Sequence, residues 1–128
     1  MRDIRLIAAI GRHGQIGLGD KLPWHDPTDL AWFRAQTMGA TLIIGKRTRQ
    51  ALPPLPGRSI LQWQGEDPAE FLDQAFSAID REDRPNRTVF IAGGAKTYSA
   101  FLPFVRTSII THIDYDGPAT AYMPALWA

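Results

Sequence analysis

Short runs of consecutive apolar residues alternate with stretches whose apolar positions recur every three or four residues. Arg5-Leu6-Ile7-Ala8-Ala9-Ile10, Thr41-Leu42-Ile43-Ile44, Ser59-Ile60-Leu61-Gln62-Trp63, Thr88-Val89-Phe90-Ile91-Ala92 and Thr107 to Ile113 read as five strands. Runs that stay apolar at successive positions predict strands covered on both faces. Helices are expected from Asp26 to about Met38, directly after Gly45, from Asp67-Pro68 to about Asp80, and after Gly94 through Phe101. In the third of these, Phe71, Leu72, Ala75, Phe76 and Ile79 share one face. Asp26 has the character of an N-cap, Pro27 of a first helical residue and Gly39 of a terminator. Gly11 to Lys21, with Gly11, Gly14, Gly17 and Gly19, reads as a loop, and Pro53 to Gly57 as a turn. The alternation predicts an α/β fold, a mostly parallel five-stranded sheet with helices on both faces, in a single domain over 1–128.

Ligands of such sheets collect at the carboxyl ends of the strands. The glycine loop, the Gly45 turn and the Gly93-Gly94 turn all fall there. The richest stretch is Leu22-Pro23-Trp24-His25-Asp26-Pro27-Thr28-Asp29-Leu30-Ala31-Trp32-Phe33. It sets Asp29 among apolar and aromatic residues near a helix start. As third helical residue, Asp29 suits the positive helix end and can bond back to the cap. The alternative is that it receives a cationic or donor-rich ligand in a poorly hydrated pocket. Asp29, Leu30 and Phe33 are expected on one side of the helix, an acid between an aliphatic and an aromatic wall.

The remaining chemistry is narrowed by composition. A net charge of +1, without a basic run interleaved with aromatics, argues against nucleic acid. The absence of cysteine removes thiol chemistry, and the scattered His13, His25 and His112 suggest no metal site. His112, inside a strand, reads as packed. No apolar run approaches a membrane span and no secretory leader is evident, so a cytoplasmic, membrane-free protein is expected.

Two glycine motifs fail as nucleotide fingerprints. Gly14-Gln15-Ile16-Gly17-Leu18-Gly19 lacks the dinucleotide spacing, and Gly93-Gly94-Ala95-Lys96-Thr97 lacks the upstream glycine of a phosphate loop. What remains is two helices that start directly after strands, with Lys46, Arg47 and Thr48 at one and Lys96 and Thr97 at the other. Their free N–H groups suit a pyrophosphate.

Taken in order, Leu6-Ile7-Ala8-Ala9, Ile16-Gly17, Leu22-Pro23-Trp24, Asp29-Leu30-Ala31-Trp32-Phe33, Gly45-Lys46-Arg47-Thr48, Leu55-Pro56-Gly57-Arg58, Gly93-Gly94-Ala95-Lys96-Thr97-Tyr98, Phe101-Leu102-Pro103 and Thr111-His112-Ile113-Asp114 resemble the dihydrofolate reductases. The resemblance implies that NADPH gives a hydride to C6 of dihydrofolate while N5 takes a proton, and that antifolates bind. It implies a catalytic set of Asp29 on the pterin 2-amino group and N3, Thr111 supporting Asp29 by a hydrogen bond, Trp24 placing a water, and Leu22 closing over the nicotinamide. Ile7, Ala9, Leu30, Phe33 and Ala92 would wall the substrate. Arg58 would take the α-carboxylate of its glutamate tail, and Tyr98 would lie near the nicotinamide. Ile16, Gly17, Gly45, Lys46, Arg47, Thr48, Gln62, Trp63, Gly93, Gly94, Ala95, Lys96 and Thr97 would hold the cofactor, with a cis bond at Gly93-Gly94. A reductase on another pterin or in riboflavin synthesis, or a binding protein with little turnover, are the alternatives.

Three departures from the family stand out. Gln62-Trp63 replaces a pair of small hydroxyl residues near the adenosine 2′-phosphate. Ala92 replaces a larger aliphatic residue. The chain also lacks a small edge strand after Gln64 and the C-terminal hairpin of roughly 30 residues. The strand Thr107 to Ile113 is then a bare edge. Tyr122, Met123, Leu126 and Trp127 are expected to fold over it or to meet a second subunit, giving a homodimer.

Overall fold

A computed structural model describes residues 2–19 and 21–124. Seven strands and four helices follow one another as β1 (Ile4–Ile10), β2 (Gln15–Gly17), α1 (Pro27–Thr37), β3 (Thr41–Gly45), α2 (Lys46–Ala51), β4 (Ser59–Trp63), α3 (Pro68–Arg81), β5 (Val89–Ile91), α4 (Ala95–Phe101), β6 (Thr107–His112) and β7 (Ala121–Tyr122). Five strands form one sheet in the order β4-β3-β5-β1-β6. Each neighbouring pair is parallel. The α/β architecture is the one the apolar runs predict.

Successive side chains of a strand face opposite ways, and the core divides accordingly. Ile4, Leu6, Ala8, Ile10, Ile43, Val89 and Ile91 pack on one face with Leu72, Phe76 and Ile79 of α3 and Tyr98 and Phe101 of α4. Ile7, Leu42, Ile44, Phe90 and Ala92 fill the other, where Trp32 and Phe33 of α1 meet them. Helix α1 is thinly covered, because Thr37 is its only buried residue. Its apolar side forms the wall of an open cleft. Asp26 caps it, accepting from the Asp29 N–H at 3.1 Å. Gly39, at φ +79°, ends it and donates its N–H to the Gly57 carbonyl at 2.8 Å.

Two short strands lay outside the apolar pattern. The glycine loop contains β2, which pairs antiparallel with β7 of the tail. Buried Gln15 fastens the two segments, since its Oε1 accepts from His13 N–H at 2.7 Å and its Nε2 donates to the Gly117 carbonyl at 3.2 Å. Arg12 pairs with Asp114 and His13 lies against Asp116. The Thr120 hydroxyl accepts from Gly19 N–H at 2.7 Å. The described tail therefore straps the glycine loop and does not cover β6. Met123 packs on the core while Tyr122 is exposed. Leu126 and Trp127 lie outside the described residues. Among the described residues β6 pairs only with β1, and His112 is exposed where a packed residue was expected, because an edge strand has one neighbour. No helix among the described residues is long and apolar enough to cross a membrane.

Phe101 is fully buried, and Trp63 and Phe71 pack against it at steep ring angles, with ring separations of 5.5 and 6.1 Å. Phe101→Ala should cost about 3–5 kcal/mol in chemical denaturation. A loss below about 1 kcal/mol would mean that this layer is not the packed centre described.

Candidate active site

A cavity of about 100 Å³ opens towards the carboxyl ends of β1 and β5, beside α1. Its strand wall is low, built from Ile7, Ala8, Ala9, Ala92, Gly93 and Gly94. The facing wall is tall and aromatic, with Leu22, Trp24, Asp29, Trp32 and Phe33. Ile16, Thr48, Leu52 and Tyr98 complete the lining. The chain thus gathers the expected Asp29, Trp24, Leu22, Ile7, Ala9, Phe33, Ala92 and Tyr98 around one space.

Leu30 is half-buried and does not line the cleft. Its place is taken by Trp32. Trp32 and Phe33 lie three and four positions from Asp29 and share its face, whereas Leu30, although three positions from Phe33, is turned about 100° from Asp29. Periodicity alone identifies Trp32. Leu52 and Ala8 carried no such signal; Ala8 faces the other core and borders the cleft from the strand itself.

Asp29 is half-buried and its carboxylate has no hydrogen-bond partner among the described residues. The back-bond to the cap is not made, so helix capping does not occupy this group. Burial raises its pKa above the ordinary value, and the Asp26 charge adds to the rise. Trp24 rests against Tyr115 with ring centroids 5.5 Å apart. Its indole Nε1 is buried without an acceptor among the described residues. A buried, unpaired N–H thus stands at the cleft beside a half-buried carboxylate that bonds no described residue. Thr111 sits opposite Ala9 in the β1–β6 ladder, and no hydrogen bond joins it to Asp29.

The far end of α1 holds Arg58, nine-tenths buried. Its Nη2 donates to the Pro56 carbonyl at 2.9 Å and its Nη1 to the Thr37 hydroxyl at 3.4 Å, while Nε has no partner. No carboxylate pairs with it among the described residues. Burial and the nearby Arg34 charge lower its pKa. Such a fork is matched to a carboxylate.

The cis Gly93-Gly94 peptide packs against β3, where Gly45 N–H donates to the Gly93 carbonyl at 2.8 Å. A Cβ on Gly94 would stand 3.1 Å from the Thr48 hydroxyl, and one on Gly45 3.0 Å from that of Thr97. The glycines therefore allow two turns to touch. Lys46, Arg47 and Lys96 are exposed beside them, and none forms an ion pair among the described residues. Ala95 and Thr97 lie in α4. Tyr98, fully buried, donates to the Ile7 carbonyl at 2.8 Å, and burial raises its pKa far above the usual phenol value. Gly17 is half-buried in β2 against Ala121. At the end of β4, Gln62 is half-buried, and Trp63 packs at a steep ring angle against Phe101 and donates Nε1–H to the Glu66 carbonyl at 2.7 Å. Its ring is half-buried against the core and leaves one part exposed. No group of three potential metal ligands forms among the described residues.

A family model described as Dihydrofolate reductase matches residues 3–128. A dihydrofolate reductase of Neisseria meningitidis serogroup A is 34% identical, over 98% of this chain and 82% of that protein. One from Buchnera aphidicola is 36% identical, over 95% of this chain and 79% of that protein. A dihydromethanopterin reductase of Methylorubrum extorquens is 32% identical, over 99% of this chain and 94% of that protein.

The unpaired Asp29 has a thermodynamic consequence. An acid with a raised folded-state pKa contributes stability below its unfolded value and loses it as pH rises through the folded value. Asp29→Asn removes that loss. It should raise Tm at about pH 7, with the gain closing as pH falls towards the ordinary value of 3.8. A lower Tm in the variant at neutral pH would show that the carboxylate is structural.

Proposed function

The chain belongs to the dihydrofolate reductase family, and from that membership we propose that it catalyses NADPH-dependent reduction of 7,8-dihydrofolate to tetrahydrofolate. The observation that carries this reading is the Asp29 carboxylate, unpaired and half out of water in an aromatic cleft beside Gly93-Gly94. A pterin offers it two parallel donors, the 2-amino group and N3. Charge-assisted bonds of that kind are strong where water is scarce.

Trp32 and Phe33 flank the ring from α1, and the low wall of Ile7, Ala9 and Ala92 lets its flat face approach β1 and β5. Asp29 fixes the ring and, through its charge, favours the proton at N5. The unpaired Trp24 Nε1 is suited to holding a water on that path, with Thr111 the proposed support of Asp29 once substrate is bound. Leu22, on the glycine-rich segment, closes the cleft and excludes solvent. Arg58 takes the α-carboxylate of the glutamate tail.

Bound nicotinamide supplies the hydride. The residues present fit such a cofactor, for Gly45, Gly93 and Gly94 bring two backbone turns together and Lys46, Arg47 and Lys96 are cations free of partners among the described residues. Ile16, Gly17, Thr48, Ala95 and Thr97 belong to the same proposed seat, with Gln62 and Trp63 at its adenosine end. Self-association through the open edge 107–113 and the tail, binding of antifolates, and a cytoplasmic location belong to the same proposal.

One observation favours a second reading. The relative named as a dihydromethanopterin reductase is matched over 94% of its length, against 82% and 79% for the two reductases above. A different side chain on the same pterin ring would leave the role of Asp29 intact. A kcat/KM higher for dihydromethanopterin than for dihydrofolate would decide for it.

Oxidation of NADPH in the presence of dihydrofolate tests the reading, with Asp29→Asn losing about 10²-fold or more in kcat/KM. Equal turnover by both proteins would remove Asp29 from the mechanism, and folate binding without turnover would leave a binding protein. Arg58→Lys should raise KM for dihydrofolate about 10-fold, with a smaller effect on a dihydropterin lacking the glutamyl tail. Equal effects on both would mean that Arg58 serves the fold and not the tail.

A further inference from the structure

Tyr115, in the strap, touches both ends of the segment that runs from Gly11 to Trp24. Its backbone carbonyl accepts from the Arg12 N–H at 2.9 Å, where that segment leaves β1. Its ring rests against Trp24, where the segment reaches the cleft, with the two ring planes 57° apart. The ring is itself held. Its hydroxyl donates to the Pro118 carbonyl at 2.6 Å. A Cβ on Gly117 would stand 2.7 Å from that hydroxyl and 2.8 Å from the ring carbon bearing it, so a larger residue at 117 would displace the ring. The Gly117 carbonyl in turn accepts from Gln15 Nε2 at 3.2 Å. The turn that carries the ring is thereby fastened to the middle of the same segment.

We propose that Tyr115 is a positioning residue for Trp24, whose indole it tilts so that Nε1–H is presented at the cleft. The inference rests on the role proposed above for Trp24 and names the residue through which the strap acts on it. Trp24 lies outside every helix and strand, so no backbone ladder fixes it. Its Nε1–H has no acceptor among the described residues, so no hydrogen bond of its own sets its tilt. Packing must supply the orientation, and among the described residues Tyr115 is the aromatic ring that meets it. An aromatic side chain suits the task, being broad and rigid, with few torsions to hold. The direction matters because a hydrogen bond weakens steeply once donor and acceptor are misaligned. A water held by a tilted indole would stand off the path to N5. Tyr115 touches neither substrate nor cofactor in this arrangement and acts only through the ring it supports.

Solvent exchange of the Trp24 Nε1–H, followed by NMR on the full chain and assigned by its loss in Trp24→Phe, tests the placement without reference to turnover. Tyr115→Ala should speed that exchange at least ~10-fold and leave the Trp63 Nε1–H, bonded to Glu66, unchanged. Tyr115→Phe keeps the ring and should stay within about 3-fold of the native rate; circular dichroism confirms that each variant is folded. In turnover of dihydrofolate, Tyr115→Ala should lower kcat about 10-fold, with KM moving less than about 2-fold. The deficit should narrow as pH falls and solvent supplies the proton more readily. Adding Tyr115→Ala to Trp24→Phe should cost nothing further, since the two act as one unit. Unchanged exchange in Tyr115→Ala, or full additivity of the two substitutions, overturns the proposal and leaves the reductase reading in place. Native turnover by Trp24→Phe contradicts the role given to Trp24 in that reading, and the exchange rates then still decide whether Tyr115 places the indole.

Discussion

A carboxylate held half out of water with no partner is an expense that a fold ordinarily avoids. Asp29 is such a group, and most of the molecule can be understood as the means of keeping it so. The Asp26 cap satisfies the Asp29 backbone and leaves its side chain free. Helix α1 turns Asp29, Trp32 and Phe33 to one side, and that side is left mostly uncovered. The sheet contributes its least bulky residues opposite, so a flat ring has room between the two.

The same logic extends to the surrounding polar groups. The Trp24 indole and the Arg58 guanidinium each retain a buried N–H without an acceptor among the described residues. The first lies at the cleft and the second at the far end of α1, where the proposed reading places a bound water and the tail carboxylate. By contrast, Gln15 is buried with both ends of its amide bonded. It works as a rivet between the glycine loop and the tail and holds the segment that carries Leu22 near the cleft. Unpaired groups mark the site, and paired ones mark its supports.

The five-stranded sheet was legible because each strand is apolar at consecutive positions and each helix is bounded by a cap, a proline or a glycine. Strands β2 and β7 were not legible. Gln15-Ile16-Gly17 and Ala121-Tyr122 are too short for any period, and their pairing joins residues about a hundred positions apart. In the site, Asp29 was legible from its neighbours, and Trp32 lay within reach of the helical period, three positions from Asp29. The unpaired state of Trp24 and Arg58 depends on packing between distant segments, which no local pattern contains. The strap made by residues 113–124 was hidden for the same reason.

The central claim is that Asp29 is kept partnerless for a pterin. Titration of the Asp29 carboxyl by carbon NMR, in free protein and in its folate complex, tests this most directly. The account predicts a pKa above the ordinary aspartate value in the free protein, falling when the ring's donors bond the ionised form. An ordinary value that folate leaves unmoved would contradict it.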